Sequence, residues 1–393
     1  MSKSINSNCA RRSPWAWVPT LYFAQGLPYI AVMTLSVIMY KRLGVSNTDI
    51  ALYTGWLYLP WVIKPFWSPF VDIISTKRRW VIIMQWFVAI AFAGIAFALP
   101  VQFFFSLTLA VFWLVAFVSS THDIAADGYY MLALTEHEQS FYVGIRSTFY
   151  RIASVAGQGA LVVVAGCIEE STGDIPFAWG VVFFVLSAMF LFFAVYHSWA
   201  LPKVEIKNTK RNYTFNDVTK EFVRIFVAFF RKKQAGLAIL FMLLYRLPEA
   251  QLIKLINPFL LDANSIGGLG ISTSEVGIVY GTVGIIGLTA GGIIGGILAA
   301  KKGLHYWLKP MAWSMSLTCL TFVYLSWASE PSLLTINTCV FIEQFGYGFG
   351  FTAYMLYLIY FSEGEFSTAH YSICTGFMAL GMMLPGMAAG WIQ

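Results

Sequence analysis

Of the 393 residues, 58% are hydrophobic, 17% aromatic and only 11% charged, and the mean hydropathy is +0.69, which excludes a soluble globular domain. The apolar runs are about 20 residues long and lack strict alternation, so a barrel is excluded too and an all-α polytopic membrane protein is expected. The net charge of +6 does not signal nucleic acid, because the Lys and Arg residues cluster in connections that sort to one side of a membrane.

The first 14 residues are polar and carry Arg11 and Arg12, and the apolar run after them is too long and too aromatic for a cleaved signal, so it reads as a retained first span. Apolar runs place spans near residues 15–40, 49–71, 80–98, 103–133, 144–168, 177–198, 235–260, 273–300, 305–328, 333–361 and 370–391, eleven in all. The long polar segment 199–234, with nine Lys or Arg against three acidic residues, divides residues 1–198 from residues 235–393. Within it Phe215, Val218, Phe222, Phe226 and Phe229 recur at helical spacing between Lys220, Arg224 and Arg231, the pattern of an amphipathic helix on the inner leaflet. The amino terminus, Lys77-Arg78-Arg79 and Lys301-Lys302 fall on the side of that linker, which the positive-inside rule assigns to the cytoplasm. Short basic turns recur at the matching point of each half, as two six-helix repeats predict, so a twelfth helix is expected beyond Gln393. Cys9, Cys167, Cys319, Cys339 and Cys374 show no paired spacing and read as small packing residues.

Along the spans the ionisable and polar groups stand out, since each is costly in hydrocarbon. Pro28 should kink the first span beside Gln25 and Tyr29. The second span carries Tyr58, Pro60, Trp61, Lys64, Pro65 and Pro69, an aromatic excess suited to stacking on a sugar ring, with Lys64 either neutralising Asp72 or snorkelling to the surface. In the fourth span Asp123 and Asp127 share one helical face, either as structural caps or arginine partners or as groups handling substrate and protons. His122, Asp123 and Asp127 do not share one face, so no metal site is expected. Arg151 heads a stripe with Ser147, Ser154 and Gln158 in the fifth span, and an Asp–Arg pair with Asp123 or Asp127 is the expected empty state. In the seventh, Arg246 and Glu249 can pair at i, i+3 across Pro248, with Lys254 and Asn257 beyond, leaving a surplus positive charge for an anionic substrate or forming a charged outer gate. Glu343 in the tenth span is a proton-site candidate, and the glycines Gly277 to Gly295 of the eighth form a close-packing face.

Three segments carry a resemblance: Tyr22-Phe-Ala-Gln-Gly-Leu-Pro-Tyr29, Pro60-Trp-Val-Ile-Lys-Pro-Phe-Trp-Ser-Pro-Phe-Val-Asp72 and Asp123-Ile-Ala-Ala-Asp-Gly-Tyr129. They resemble the AmpG family of muropeptide permeases within the major facilitator superfamily, and the hydropathy profile agrees along the chain. The sequence departs from the family at Ile73, where a basic residue is usual, and at His122, where glutamine is expected. The resemblance implies a bacterial inner-membrane carrier, cytoplasmic at its amino terminus, that imports N-acetylglucosaminyl-anhydro-N-acetylmuramyl peptides or related amino sugars with protons. It also implies that Asp72, flanked by Lys77 and Arg78, is a gate group docking on the amino end of the eleventh helix near Ser367. The expected substrate-binding residues are Gln25, Tyr29, Tyr58, Trp61, Arg151, Gln158, Arg246, Lys254 and Asn257, and the expected proton-coupling residues are Asp123, Asp127, Glu249 and Glu343. No cofactor beyond the coupling proton, no catalytic residue and no partner other than lipid and a small molecule are expected, and the chain should act as a monomer. An acetyl-CoA-type or other organic-anion carrier of the same fold is the alternative, and a membrane sensor or lipid flippase the alternative of another class.

Overall fold

The computed structural model describes residues 12–204, 215–261, 264–271, 275, 278–328 and 331–392, and every regular element among them is helical. Seven helices there are long and apolar enough to cross a membrane: Pro14–Arg42, Lys77–Ala98, Phe104–Ala133, Glu136–Thr172, Ile175–Ala200, Ala235–Leu252 and Thr282–Lys302, which are the first, third to sixth, seventh and eighth spans. The second span is broken into Asn47–Trp56, Leu59–Ile63 and Ser68–Ile74. The ninth is Leu304–Leu317 and Leu320–Trp327, the tenth Leu333–Ser362 and the eleventh Ser367–Ile392. The breaks in the second span follow from Pro60, Pro65 and Pro69, each of which lacks a backbone donor and opens a new helical segment at its first or second position. Some helix starts elsewhere are capped by side chains, with Thr76 accepting from the Arg79 amide, Asp174 from Phe177 and Ser332 from Thr335.

The expected kink at Pro28 takes a different form. The helix runs on through the proline and absorbs the lost bond in a π-helical stretch, Ala31–Leu35, so the register slips by a residue while the chain stays helical.

The chain forms two compact units. The first comprises residues 1–134 and 149–223 and the second residues 135–148 and 224–393, with boundaries just before the fifth helix, inside it and inside the helix Phe215–Phe230 of the linker. In the first unit the third span packs against both the fourth and the sixth, and Val88, Phe92, Ile95, Phe112, Phe183 and Phe190 fill the contact. Tyr40 donates to or accepts from Thr108 at 2.9 Å, which satisfies both hydroxyls inside that core.

In the second unit the tenth span is sandwiched by glycine contacts. A Cβ on Gly287 would stand 2.7 Å from the Phe341 carbonyl oxygen, and one on Gly291 would overlap that of Phe345, so the eighth span meets the tenth backbone to backbone. From the other side a Cβ on Gly350 would lie 2.7 Å from the Met311 carbonyl oxygen of the ninth span, and Gly346 faces Thr318 as closely. The packing face expected of the eighth span is therefore present at Gly287, Gly291 and Gly295, while Gly277 and the Cβ direction of Gly281 lie outside the described residues.

The amphipathic helix of the linker is present as Phe215–Phe230, but its apolar face is not simply laid on lipid. Ile225 and Phe229 are fully buried, and Phe229 packs on Phe361 and Phe377, with ring centroids 5.6 and 6.3 Å away. Lys232, just past the helix, donates to the carbonyl of Glu363 at 2.8 Å and to that of Phe361 at the carboxyl end of the tenth span, where a cation complements the helix dipole. Burying aromatic rings against protein leaves less apolar surface for the leaflet than the sequence pattern alone implies.

Candidate functional site

In the first unit Asp123 gathers buried groups from the first and second spans. Its Oδ2 forms an ion pair with Lys64 Nζ, and its Oδ1 accepts from Gln25 Nε2. The Lys64 side chain is only 7% exposed and Asp123 16%, so this is a pair largely withdrawn from solvent. Lys64 reaches inward because it sits on the one-turn segment Lys64–Phe66, between two prolines, where the chain turns away from a regular helical course. This corrects two expectations. Lys64 neither snorkels nor neutralises Asp72, which pairs with Lys77 at 3.0 Å, and of the two aspartates expected to meet Arg151, Asp123 takes this lysine as its cation. Geometry decides it, since a broken second span presents its charge to the fourth at a sequence distance that no periodicity reveals.

One turn on, Asp127 is buried and accepts from the Tyr22 hydroxyl at 2.9 Å. Tyr22 in turn meets Tyr130 edge to face at 5.8 Å. Gln25 is 6% exposed, and its Oε1 has no hydrogen-bond partner among the described residues, so a buried acceptor stands open beside the ion pair. Tyr29, a turn beyond Gln25, packs on Trp61 at 5.3 Å and Tyr58 at 6.4 Å, two of the second-span aromatics whose excess suits stacking on a sugar ring. Arg151 is carried to this place by close helix approach: a Cβ on Gly26 would stand 2.9 Å from both Ala153 Cβ and the Tyr150 carbonyl oxygen, and Arg151 lies within electrostatic reach of Tyr29. Ser154 turns its hydroxyl to the Tyr150 carbonyl and Ser147 to that of Val143, so these two members of the expected stripe satisfy their own helix. Gln158 is exposed, on the π-helical stretch Ala156–Leu161.

In the second unit Arg246 and Glu249 form the expected pair, bidentate, with Nε to Oε2 at 2.7 Å and a terminal nitrogen to Oε1 at 2.8 Å. The guanidinium also donates to the Tyr347 hydroxyl at 3.0 Å and lies 5.0 Å from the Phe351 ring. The helix is interrupted at Tyr245-Arg246, one turn ahead of where Pro248 lacks its donor. Glu343 is buried and bonds with Gln344 at 2.9 Å and with Tyr280 on the π-helical stretch Val279–Gly284. The side chains of Lys254 and Asn257 lie outside the described residues. If the Arg246–Glu249 pair is structural, Arg246→Gln alone should destabilise the protein by roughly 3–5 kcal/mol and Arg246→Gln with Glu249→Gln by much less, read as thermal unfolding in detergent.

Of the gate residues, Lys77 holds Asp72, while Arg78 spends its guanidinium on the carbonyls of Ser198 and of Leu201, the latter at 2.8 Å, closing the carboxyl end of the sixth span. No group of three or more His, Cys, Asp or Glu suited to a metal is found among the described residues.

A sequence model described as Major Facilitator Superfamily matches residues 20–390. The chain belongs to the Major Facilitator Superfamily. It is 26% identical over 388 residues to the anhydromuropeptide permease of Escherichia coli (strain K12), covering 94% of this chain and 72% of that one. It is 24% identical over 374 residues to a Rickettsia conorii chain named as a transporter, AmpG 4, covering 92% and 85%. Two crystal structures of the superfamily transporter FucP, one described as outward and one as an E. coli fucose:proton symporter variant, superpose with TM-scores of 0.68 and 0.70 at 14% and 13% identity, over 96% of this chain and 90% and 91% of those chains. This is the fold expected from the sequence, and the relatives bear the family name that its three motifs resemble.

Sequence reasoning missed one buried cluster. Thr20 on the first span, His197 on the sixth, Gln85 on the third and His122 on the fourth follow one another at hydrogen-bond distance, each contact 3.0 Å. The signal was available: Gln85 is a single amide in an otherwise apolar stretch of the third span, and a buried amide or imidazole in hydrocarbon needs partners.

Proposed function

We propose that the chain is a proton-coupled secondary transporter of the bacterial inner membrane, with its amino terminus in the cytoplasm, importing N-acetylglucosaminyl-anhydro-N-acetylmuramyl peptides. The observation that carries this reading is the Lys64–Asp123 pair with Gln25 beside it and Tyr29, Tyr58 and Trp61 one turn away. A lysine held by one carboxylate is a site where another can compete. A lactyl or peptide carboxylate of the substrate takes Lys64, the open Gln25 Oε1 accepts from a hydroxyl or amide N–H, and the aromatic faces stack on the sugar ring. Displaced from its lysine, Asp123 is an uncompensated charge in a poorly solvated place, and the arrival of one proton restores neutrality. Substrate anion and proton therefore enter together. Likeness to the E. coli anhydromuropeptide permease supports this substrate class.

Lys64 would equally serve an acyl-CoA-type or other organic anion, so the test is competitive uptake. In right-side-out vesicles, labelled anhydro-muropeptide should accumulate and be displaced by unlabelled anhydro-muropeptide but not by simple amino sugars or acyl-CoA. Equal displacement by acyl-CoA, or no accumulation, contradicts the assignment.

A further inference from the structure

The chain of Thr20, His197, Gln85 and His122 is not absorbed by substrate binding. Gln85 and His197 are fully buried and His122 is 3% exposed, so every donor and acceptor in it must be matched internally. With the amide oxygen of Gln85 facing His197, the Thr20 hydroxyl donates to His197 Nε2, His197 Nδ1–H donates to Gln85 Oε1, and Gln85 Nε2–H donates to His122 Nε2. Thr20 has a second acceptor, the Trp17 carbonyl at 3.3 Å. A proton added at His197 Nε2 is therefore accommodated by a turn of one hydroxyl: the imidazolium donates to Thr20 Oγ1 and Gln85 Oε1, and Thr20 donates to Trp17. With the Gln85 amide turned over, His122 Nε2–H donates to the amide oxygen, the amide N–H donates to His197 Nδ1, and His197 Nε2–H still donates to Thr20. Between the protonated state and this one, His197 Nδ1 gives its proton to Gln85 Oε1 while Gln85 Nε2 gives one to His122 Nε2, and the imidic acid so formed returns to the amide as it turns over, so the proton count is unchanged and no buried group loses a partner.

We propose that these four side chains form a proton-holding relay of the first unit, which takes one proton near the first span and presents it beside Asp123. Asp123, the next residue after His122, is the charged group in electrostatic contact with that ring, and it is held on its other side by Lys64 and Gln25. His122 is the titratable group in contact with His197, and Arg78 stands at the neighbouring Ser198 carbonyl. When a substrate anion draws Lys64 away, a proton on His122 supplies the countercharge that Asp123 loses. His122 gives the site a second basic ring beside His197.

The inference deepens the proton-coupled reading, but its test reads proton binding and not transport, so either can fail alone. Protein with 15N-labelled histidine in lipid nanodiscs is titrated from about pH 8 to about pH 4, where imidazole ordinarily changes charge, and the ring nitrogens of His122 and His197 are followed by NMR. The relay requires both rings to respond with one shared midpoint, and Gln85→Leu to abolish the sharing. Thr20→Val, a small change that removes the acceptor for His197 Nε2–H, should weaken proton binding at least about tenfold, a shift of one pH unit in that midpoint. Rings that stay neutral over the whole range, or that titrate independently in the unaltered protein, overturn the proposal. So does a midpoint left in place by Thr20→Val.

Discussion

Lys64→Gln is expected to abolish substrate uptake and to destabilise the protein by roughly 3–5 kcal/mol, the usual cost of leaving one member of a buried ion pair without its partner. The carboxylate of Asp123 would keep only the Gln25 amide among its present partners, with most of its surface withdrawn from water. Lys64→Gln combined with Asp123→Asn should recover most of that loss, because two neutral amides in place of the pair leave no charge behind, yet uptake should stay absent since no cation remains to exchange. Thermal unfolding in detergent reads the first effect and vesicle uptake the second. If Lys64→Gln is as stable as the unaltered protein, the pair is not the buried contact described.

The second large effect is steric. Gly291→Leu should eliminate folded protein, because even its Cβ would overlap the Phe345 carbonyl and the branched side chain has nowhere to go while the eighth and tenth spans touch. Overpacking a core ordinarily costs about 1–3 kcal/mol, and a collision with two facing main chains, neither able to change rotamer, should exceed it. Gly94→Ala is the matched control: nothing lies within 4 Å of its Cβ, so the substitution should be neutral or stabilise the third span by about 0.5–1 kcal/mol through helix propensity. The yield of monodisperse protein in size-exclusion chromatography separates the two, and a normal yield of Gly291→Leu would show that the close approach is not required.

These two cases also mark what could be read without a structure. The glycine face of the eighth span is a periodic pattern within one helix, and so is the Arg246–Glu249 pair at i, i+3; local spacing is enough to find both. The Lys64–Asp123 pair joins residues 59 apart, and its partner choice depends on how far three prolines turn the second span, which no periodicity encodes. Arg151 was the cation the sequence put forward for Asp123 or Asp127 because it lies on the next helix, and for Asp123 that proximity in the chain misled. The apolar face of Phe215–Phe230 looked made for lipid, since a sequence pattern reports amphipathicity but not whether the surface that covers it is lipid or protein. The histidine relay was harder still: its four members come from four helices, and only packing aligns them.

The central claim is that an anionic substrate and a proton enter together because they exchange at Asp123. Proteoliposomes enclosing a pH-sensitive dye, given anhydro-muropeptide outside with no other ion gradient, measure it directly. The exchange predicts that the lumen acidifies as the muropeptide enters and that Asp123→Asn abolishes the acidification. Muropeptide entry with an unchanged lumenal pH, or acidification that persists in Asp123→Asn, would contradict it.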